Sequence, residues 1–302
     1  MSNSIAGASK YVVELDKMIA QVSKTGFLAD NVFKAKFIGS KTVLLPEITM
    51  TGMGNYSRTG GYPKGDTTLT FKDYTLKQER GRQLFLDAQD EDESGVADLA
   101  GKLASEYIRI HVVPEVDAYN ISTMFAAANT ASHVKEYAEA SAVKDLLAAI
   151  NSAESAMGYD GSTGLVAFVD PVMYGLLQTS AELERHIVIS DFKQGEVNMK
   201  VKTLNGCAII PVSPERMKSA YTFNAGASAT AGGFTAASGA KDVRAVVLPK
   251  DSASLVKKVD KFDILDPSQV EDFDAYKINF RMYYDLIVKN SRKNTIYAIA
   301  TA

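Results

Sequence analysis

The sequence predicts an α+β fold, and three observations carry that prediction. Near the C-terminal end, Ile278, Phe280, Met282, Tyr284, Leu286 and Val288 alternate with Lys277, Asn279, Arg281, Tyr283 and Asp285, and only Ile287 breaks the polar side. A period of two is a strand that turns one face to a core. Further upstream, Val96, Leu99, Leu103, Tyr107 and Ile110 recur at spacings of 3, 4, 4 and 3, the stripe of an amphipathic helix. Before that helix, two β-rich runs, TVLLPEITM (42–50) and DTTLTFKDYTL (66–76), flank a polar stretch holding Gly52, Gly54, Gly60, Gly61 and Gly65. That pattern reads as a long hairpin with a flexible tip.

Taken in chain order, Val12, Leu15, Ile19 and Val22 predict a short helix over 10–24, stopped at Gly26 and lying as an arm on another element. A two-stranded hairpin such as 42–76 is marginal alone in water and its edges invite pairing. It therefore rests on its own core or on another subunit. Residues 87–95, DAQDEDESG, hold five acids and no base, an acidic first turn that complements the helix dipole. The helix that follows is interrupted by Pro114, which predicts a kink, and continues weakly through Val116, Tyr119 and Met124. A second helix is expected over 141–157, capped by Ser141, with Val143, Leu146, Leu147, Ile150 and Met157 as its stripe. LVAFVD (165–170) reads as a buried strand, with Pro171 opening a helix through Leu177. CAIIPVS (207–213), VRAVVLP (243–249) and DKFDILD (260–266) read as strands, and the uncharged stretch 219–240 as a surface loop. A polar turn over 289–294 leads into TIYAIAT, expected to close a hairpin with the preceding strand on an antiparallel sheet.

Composition bounds the function. The 302 residues carry 33 basic and 36 acidic side chains, a net charge of −3, with 46% hydrophobic and 23% charged residues. This excludes disordered and fibrous classes and gives no electrostatic reason to grip nucleic acid tightly. Cys207 is the only cysteine, so an internal disulfide and a Cys-based metal site are ruled out, and a reducing compartment fits. No run approaches the length of a membrane span, and Glu14, Asp16 and Lys17 interrupt any signal-peptide core. The chain is expected to fold in a cytoplasm, with the sequons at Asn55 and Asn120 accidental.

No motif points to catalysis. His111, His133 and His186 stand apart from one another, and neither a nucleophile elbow nor a dinucleotide fingerprint is present. Gly60 to Gly65 lack the spacing and the Lys-Ser/Thr pair of a phosphate loop. Residues 90–95 imitate half of a calcium loop, but the twelfth position is Gly101 rather than a bidentate Glu, so a helix start is the better reading. Lys77, Arg80 and Arg82 form a small basic run; pairing with acids of the same or a neighbouring chain is preferred over contact to phosphates. No catalytic, cofactor-binding or metal residue is assigned.

The segments YSRTGGYPKGDTTLTFKDYTLKQERGRQLFLD (56–87), DEDESG (90–95), ASEYIRIHVVPEVDAY (104–119) and FDAYKINFRMYYDLIVKNSRKNTIYAIA (273–300) together resemble the major capsid proteins of tailed bacteriophages, which share the Hong Kong 97-type fold, and in particular those of phages of Gram-positive bacteria. The resemblance implies an N-terminal arm (1–41), an extended hairpin loop (42–86), a peripheral domain with spine helix and antiparallel sheet (87–159 and 260–302) and an axial domain (160–259). It implies self-assembly through pentamers and hexamers into an icosahedral or prolate shell around double-stranded DNA, touched weakly and non-specifically. Inter-subunit contacts are then expected at Arg58, Gly60, Gly61, Lys64, Lys77, Arg80 and Arg82. The lack of a long helix before residue 10 implies either a separate scaffolding protein or a processed precursor, and the chain starting at Met1 favours the former; a portal is a further expected partner. The location is the virion, after assembly in the host bacterial cytoplasm, with no membrane partner. Some relatives cross-link a hairpin Lys to an Asn; only Lys64, Lys72 or Lys77 with Asn290 or Asn294 would qualify, and no cross-link is expected. An encapsulin-like compartment shell and, less favoured, a cytosolic enzyme are the alternatives.

Overall fold

The computed structural model describes residues 23–29, 36–38, 41–87, 89, 99–158, 164–180, 187–194, 197–226, 232–270 and 274–302. The predicted arm helix up to residue 22 and the acidic run 90–95 lie outside these residues.

The first described element is a single 3₁₀ turn, Gly26–Ala29, whose Phe27 and Leu28 are buried. Strands β1 (Lys36–Ile38), β2 (Thr42–Met50) and β3 (Thr67–Thr75) then form an antiparallel ribbon, paired from Thr42–Thr75 out to Met50–Thr67. This is the predicted hairpin. It runs without a break into β4 (Gln78–Asp87).

The long helix follows as α1 (Leu99–Tyr107), one wide turn of π geometry (Ile108–Val112), and α2 (Val113–Thr130). Near Pro114, where a kink is expected, the helix widens in the turn just before the proline. Pro lacks an N–H and its ring collides with the carbonyl four residues earlier, here Ile110, which lies inside the widened turn. The Val113 amide accordingly reaches back to the Ile108 carbonyl.

The rest of the chain supplies β5 (Val134–Glu136), α3 (Ala142–Ala156), β6 (Leu165–Val169), α4 (Pro171–Thr179), β7 (Ile187–Gln194), β8 (Val197–Leu204), β9 (Cys207–Pro211), β10 (Tyr221–Phe223), β11 (Phe234–Ala236), β12 (Val243–Pro249), β13 (Ala253–Leu265), β14 (Ala275–Val288) and β15 (Tyr297–Ala300). Seven of these strands make one mixed sheet in the order β5-β15-β12-β6-β9-β8-β7, with parallel pairs at β5–β15 and β6–β9. A three-stranded antiparallel sheet has the order β13-β14-β4.

Period-two alternation explains the layers. In β6, Val166 and Phe168 join a core shared with α2, while Leu165, Ala167 and Val169 join a second core with α3 and α4. Strands β15, β12, β6 and β9 thus carry a core on each face. Pro171 opens α4 as expected, and the Asp170 side chain accepts the Met173 amide at 2.8 Å as its cap. At α3 the expected cap fails: the Ser141 hydroxyl donates to Asp145 at 2.7 Å instead of meeting a backbone amide.

Three expectations need correction. The C-terminal run does not close a hairpin on β14. A 3₁₀ segment, Asn290–Thr295, carries it away, and β15 enters the seven-stranded sheet between β5 and β12. Its residues are apolar on both sides, with Ala298 and Ala300 in one core and Ile299 in the other, which suits a central strand rather than one half-exposed. Residues 219–240 are not a bare loop, because Tyr221–Ala236 and Phe223–Phe234 pair in a small hairpin stabilised by contacts among Tyr221, Phe223 and Phe234. The polar side of β14 is also buried at its end, where Tyr283 and Ile287 pack with Val43, Leu45, Leu76 and Val256 from the ribbon base and β13.

Helix α2 is enclosed all round over Glu115–Ile121, and its acids go in with it. Asp117 is fully buried. It accepts hydrogen bonds from the Ser23 hydroxyl (2.5 Å), the Lys24 amide (3.1 Å), the Thr25 amide (3.1 Å) and hydroxyl (2.7 Å), and the Arg216 guanidinium (3.1 Å). Replacing it with Ala leaves these donors buried and unpaired. Asp117→Ala is expected to lower the unfolding free energy by about 3–5 kcal/mol, measured by urea denaturation; a loss under about 1 kcal/mol would contradict this account.

Candidate assembly surface

Two kinds of surface meet where the ribbon joins the body: a base tied down by hydrogen bonds and ion pairs, and a shaft that is largely exposed. At the base, the Leu76 amide donates to the Lys41 carbonyl at 2.8 Å and closes the neck. The Lys77 amide donates to Asp285 Oδ2 at 3.3 Å, and the Tyr119 hydroxyl donates to Asp285 Oδ1 at 2.7 Å. Burial raises the Asp285 carboxyl above its usual range, and the Tyr119 and Lys77 donors pull in the other direction.

The outer face of β4 carries Glu79, which receives Lys41, the Arg281 guanidinium and the Tyr283 hydroxyl (3.0 Å). Hydrogen bonds from Lys41, Arg281 and Tyr283 hold its carboxyl down at about 2. The inner face carries Arg80. Its Nε and Nη2 clasp Glu115 at 2.6 and 3.1 Å, and its Nη1 and Nη2 donate to the carbonyls of Asn224 (2.8 Å) and Gly233 (3.1 Å). The Tyr284 hydroxyl completes Glu115 at 3.2 Å. One guanidinium therefore joins β4, α2 and the β10–β11 hairpin. Gly81, next after Arg80, leaves no room for a side chain, since a Cβ there would stand 2.7 Å from the Phe280 carbonyl.

Beyond its base the ribbon has little to rest on. Every β3 residue except Tyr74 is exposed. Leu69 (57% exposed) and Phe71 (59%) stand two apart, hence on one face, and Phe71 lies opposite Pro46. The face that holds Val43 and Tyr74 to the body continues outward as Thr68, Thr70 and Lys72, so the apolar side is the one turned away from the body's core. At the tip, Ser57 and Gly61 exchange backbone hydrogen bonds at 2.8 and 3.1 Å across a tight turn that includes Arg58 and Gly60. Gly61 takes a positive φ of 77°, open to glycine without strain. Tyr56 and Tyr62 flank the turn with ring centroids 5.0 Å apart. Lys64 follows, exposed.

The seven residues singled out in the sequence thus fall into separate places. Arg58, Gly60, Gly61 and Lys64 are brought together at the tip. Lys77 sits at the neck, Arg80 is engaged inside the chain, and Arg82 lies beside Gly232, 3.4 Å from where a Cβ would be. Lys41, Glu79, Arg281 and Tyr283 were not singled out. Their signal is the odd–even pattern of QERGRQLFLD, exposed at Glu79, Gly81, Gln83 and Phe85, which the inward-facing arginines disguise. Among the described residues there is no cluster of metal-binding side chains, and no helix is long and apolar enough to cross a membrane.

No protein-family model and no curated protein sequence matches the chain. Solved structures do. The chain is similar to the mature capsid of bacteriophage PhiM1 (14% identity, TM-score 0.54, covering 87% of this chain and 82% of that one). It is similar to a chain of Mycobacterium phage Che8 (13% identity, TM-score 0.52, 89% and 92%). It also resembles the virus-like particle of Pyrococcus furiosus (10% identity, TM-score 0.52, 99% and 100%). The protein has the fold of tailed-phage major capsid proteins.

The depressed Glu79 carboxyl makes the ribbon base acid-sensitive in a defined sense. A lowered folded-state value means its contribution is complete above the ordinary carboxylate range, near 4.5, and is lost as pH falls toward 2. Hydrogen-exchange protection of the Leu76 amide is expected to fall over that interval. In Glu79→Gln it should be low throughout and flat with pH; an unchanged titration in that variant would contradict the assignment.

Proposed function

We propose that this protein is a shell subunit, a major capsid protein whose copies assemble through pentamers and hexamers into an icosahedral or prolate shell enclosing phage double-stranded DNA. The observation that carries the reading is the ribbon: on a capsid fold, an anchored hairpin presents Leu69 and Phe71 to solvent on the side its own body does not cover. Exposed apolar side chains in a row mark an interaction surface, and the body of a neighbouring copy supplies the missing partner. Contacts that run head to tail close into rings, and rings into a shell; many modest contacts engaged together hold it.

In this reading residues 42–86 are the extended loop, 87–159 and 260–302 the peripheral domain, and 160–259 the axial domain. The strands β5 and β15 join the two, since they complete the seven-stranded sheet from the peripheral side. Tip residues Arg58, Gly60, Gly61 and Lys64 contact neighbouring subunits, with Lys77, Arg80 and Arg82 setting the loop's take-off. The role is structural and needs no catalytic group. A scaffolding protein and a portal are the expected partners, the DNA is touched weakly, and assembly takes place in the host bacterial cytoplasm.

A second reading, an encapsulin-like compartment shell, is favoured by one observation: the Pyrococcus furiosus particle chain is matched over 99% of this chain and 100% of its own. Expression with any adjacent scaffold gene, followed by electron microscopy, should show large uniform shells; a small soluble oligomer would overturn both readings. Nuclease-protected DNA in particles from infected cells selects the virus, and protein cargo without DNA selects the compartment. Leu69→Asp with Phe71→Asp should abolish shells while shifting subunit stability by no more than about 0.5 kcal/mol, as exposed substitutions do. Normal shells from that variant would remove the ribbon from the assembly surface.

A further inference from the structure

We propose that the cleft between β4, the wide turn of the long helix and the β10–β11 hairpin binds a small aromatic phosphate, of the class of a nucleoside monophosphate. The site lies within one subunit and does not depend on assembly.

The cleft has a volume of about 750 Å³, within the range of small-ligand sites. Its lining mixes apolar and polar groups, which suits a ligand with a planar part and a charged part. The floor is the inner face of β4 and β14, with Leu84, Phe280 and Met282. One wall is the first half of the long helix, at the wide turn, a helix irregularity that recurs at functional sites. There Tyr107 and His111 stand with ring centroids 5.3 Å apart, and Tyr107 meets Phe280 edge-on at 6.4 Å. His111 is exposed and Tyr107 half-buried, so the pair offers an aromatic platform on which a base stacks. The opposite wall is the open end of the β10–β11 hairpin, where Asn224, Gly226, Gly232 and Gly233 present mostly backbone. The Asn224 carbonyl, which accepts Arg80 Nη1 at 2.8 Å, has a second lone pair for a sugar hydroxyl or a base amine.

The charge of the cleft favours an anion. Arg80 and Arg82 face a single carboxylate, Glu115, so the lining holds one positive charge in excess. Arg82 follows Arg80 by two residues on the same face of β4. Glycine at 232 leaves its guanidinium room, since a Cβ there would come within 3.4 Å of Nη1. Burial and Glu115 push the Tyr107 hydroxyl above its usual range, while Arg82 and Arg80 pull it down. The Arg82 charge is therefore within electrostatic reach of the aromatic pair. A guanidinium takes a phosphate through two parallel hydrogen bonds. A ligand that spans from Arg82 to the Tyr107–His111 platform carries its phosphate at one end and its ring at the other, as a nucleoside monophosphate does. A free nucleotide and the 5′-phosphorylated end of a strand share this chemistry.

Titration calorimetry and NMR on the purified full-length chain test the site, with adenosine 5′-monophosphate as probe and adenosine, ribose 5-phosphate and inorganic phosphate as its parts. The whole probe is expected to bind at least about tenfold more tightly than any part, because each part keeps one of the two contacts. Arg82→Gln should weaken the nucleotide at least about tenfold and leave adenosine unchanged. Tyr107→Leu should weaken nucleotide and adenosine at least about fivefold and leave ribose 5-phosphate unchanged. Rising salt should weaken the nucleotide and not adenosine, and nuclear Overhauser contacts should join the adenine protons to the Tyr107 ring. A 5′-phosphorylated oligonucleotide that displaces the probe assigns the site to strand ends; one that does not assigns it to free nucleotide. No binding of the nucleotide at millimolar concentration, inorganic phosphate binding as tightly as the nucleotide, or an affinity unmoved by both substitutions overturns the site. The comparison of the nucleotide with its parts uses the wild-type chain alone, so it decides the case even where a variant fails to fold.

Discussion

A carboxylate taken out of water must be met by donors, and helix α2 takes two of them into the core. Asp117 gathers the segment 23–25 and Arg216; Glu115 gathers Arg80 of β4 and Tyr284 of β14. A third, Asp285, meets the helix through Tyr119 and the ribbon through the Lys77 amide. Hydrophobic contact alone would let these elements slide over the helix; acids with fixed donors set their positions. The arrival of β4 is the case with the widest effect, because β4 is the direct continuation of the ribbon, and whatever orients Arg80 orients everything that projects from it.

This explains why the hairpin can be both anchored and bare. Its base is held by three separate means, the Glu79 cluster, the apolar group around Tyr283 and Ile287, and the amide bonds at the neck. None of them reaches past Leu45 and Tyr74. Beyond that point five further pairs of the β2–β3 ladder keep the ribbon's shape while Leu69 and Phe71 stay exposed. An element that is ordered but unpaired loses little conformational freedom when a partner arrives, which favours assembly from preformed parts.

Much of this was legible in the residues. The alternation over 277–288 and the β-rich runs of the hairpin mark elements that the structure contains; the stripe from Leu99 to Ile110 marks the helix but misses its buried face, because Leu103 and Ile110 are exposed while Ala104, Ile108 and Val112 are buried. Reading failed where a charge stood at a core position. Arg80 and Arg82 occupy the inward phase of β4, so the strand looked like a basic run; Glu115, Asp117 and Asn120 hide the enclosed half of the helix behind polar letters. It failed again at β15, whose apolar residues fit two different sheets equally well until the second core is known. The tip residues Arg58, Gly60, Gly61 and Lys64 stand out through turn chemistry, yet Glu79, Arg281 and Tyr283 are distant in sequence, and only strand register brings them together.

The position of β15 has a consequence for how the subunit comes into being. Strand β12, at the middle of the large sheet, acquires its second neighbour only when residues 297–300 have been synthesised, and β5 waits on the same event. Long-range pairing of this sort folds slowly. The ribbon, by contrast, is built of local contacts and is translated early. Its anchors at the base, Tyr283 and Ile287, are made late, so a hairpin that is marginal alone gains its support only once β14 has been synthesised.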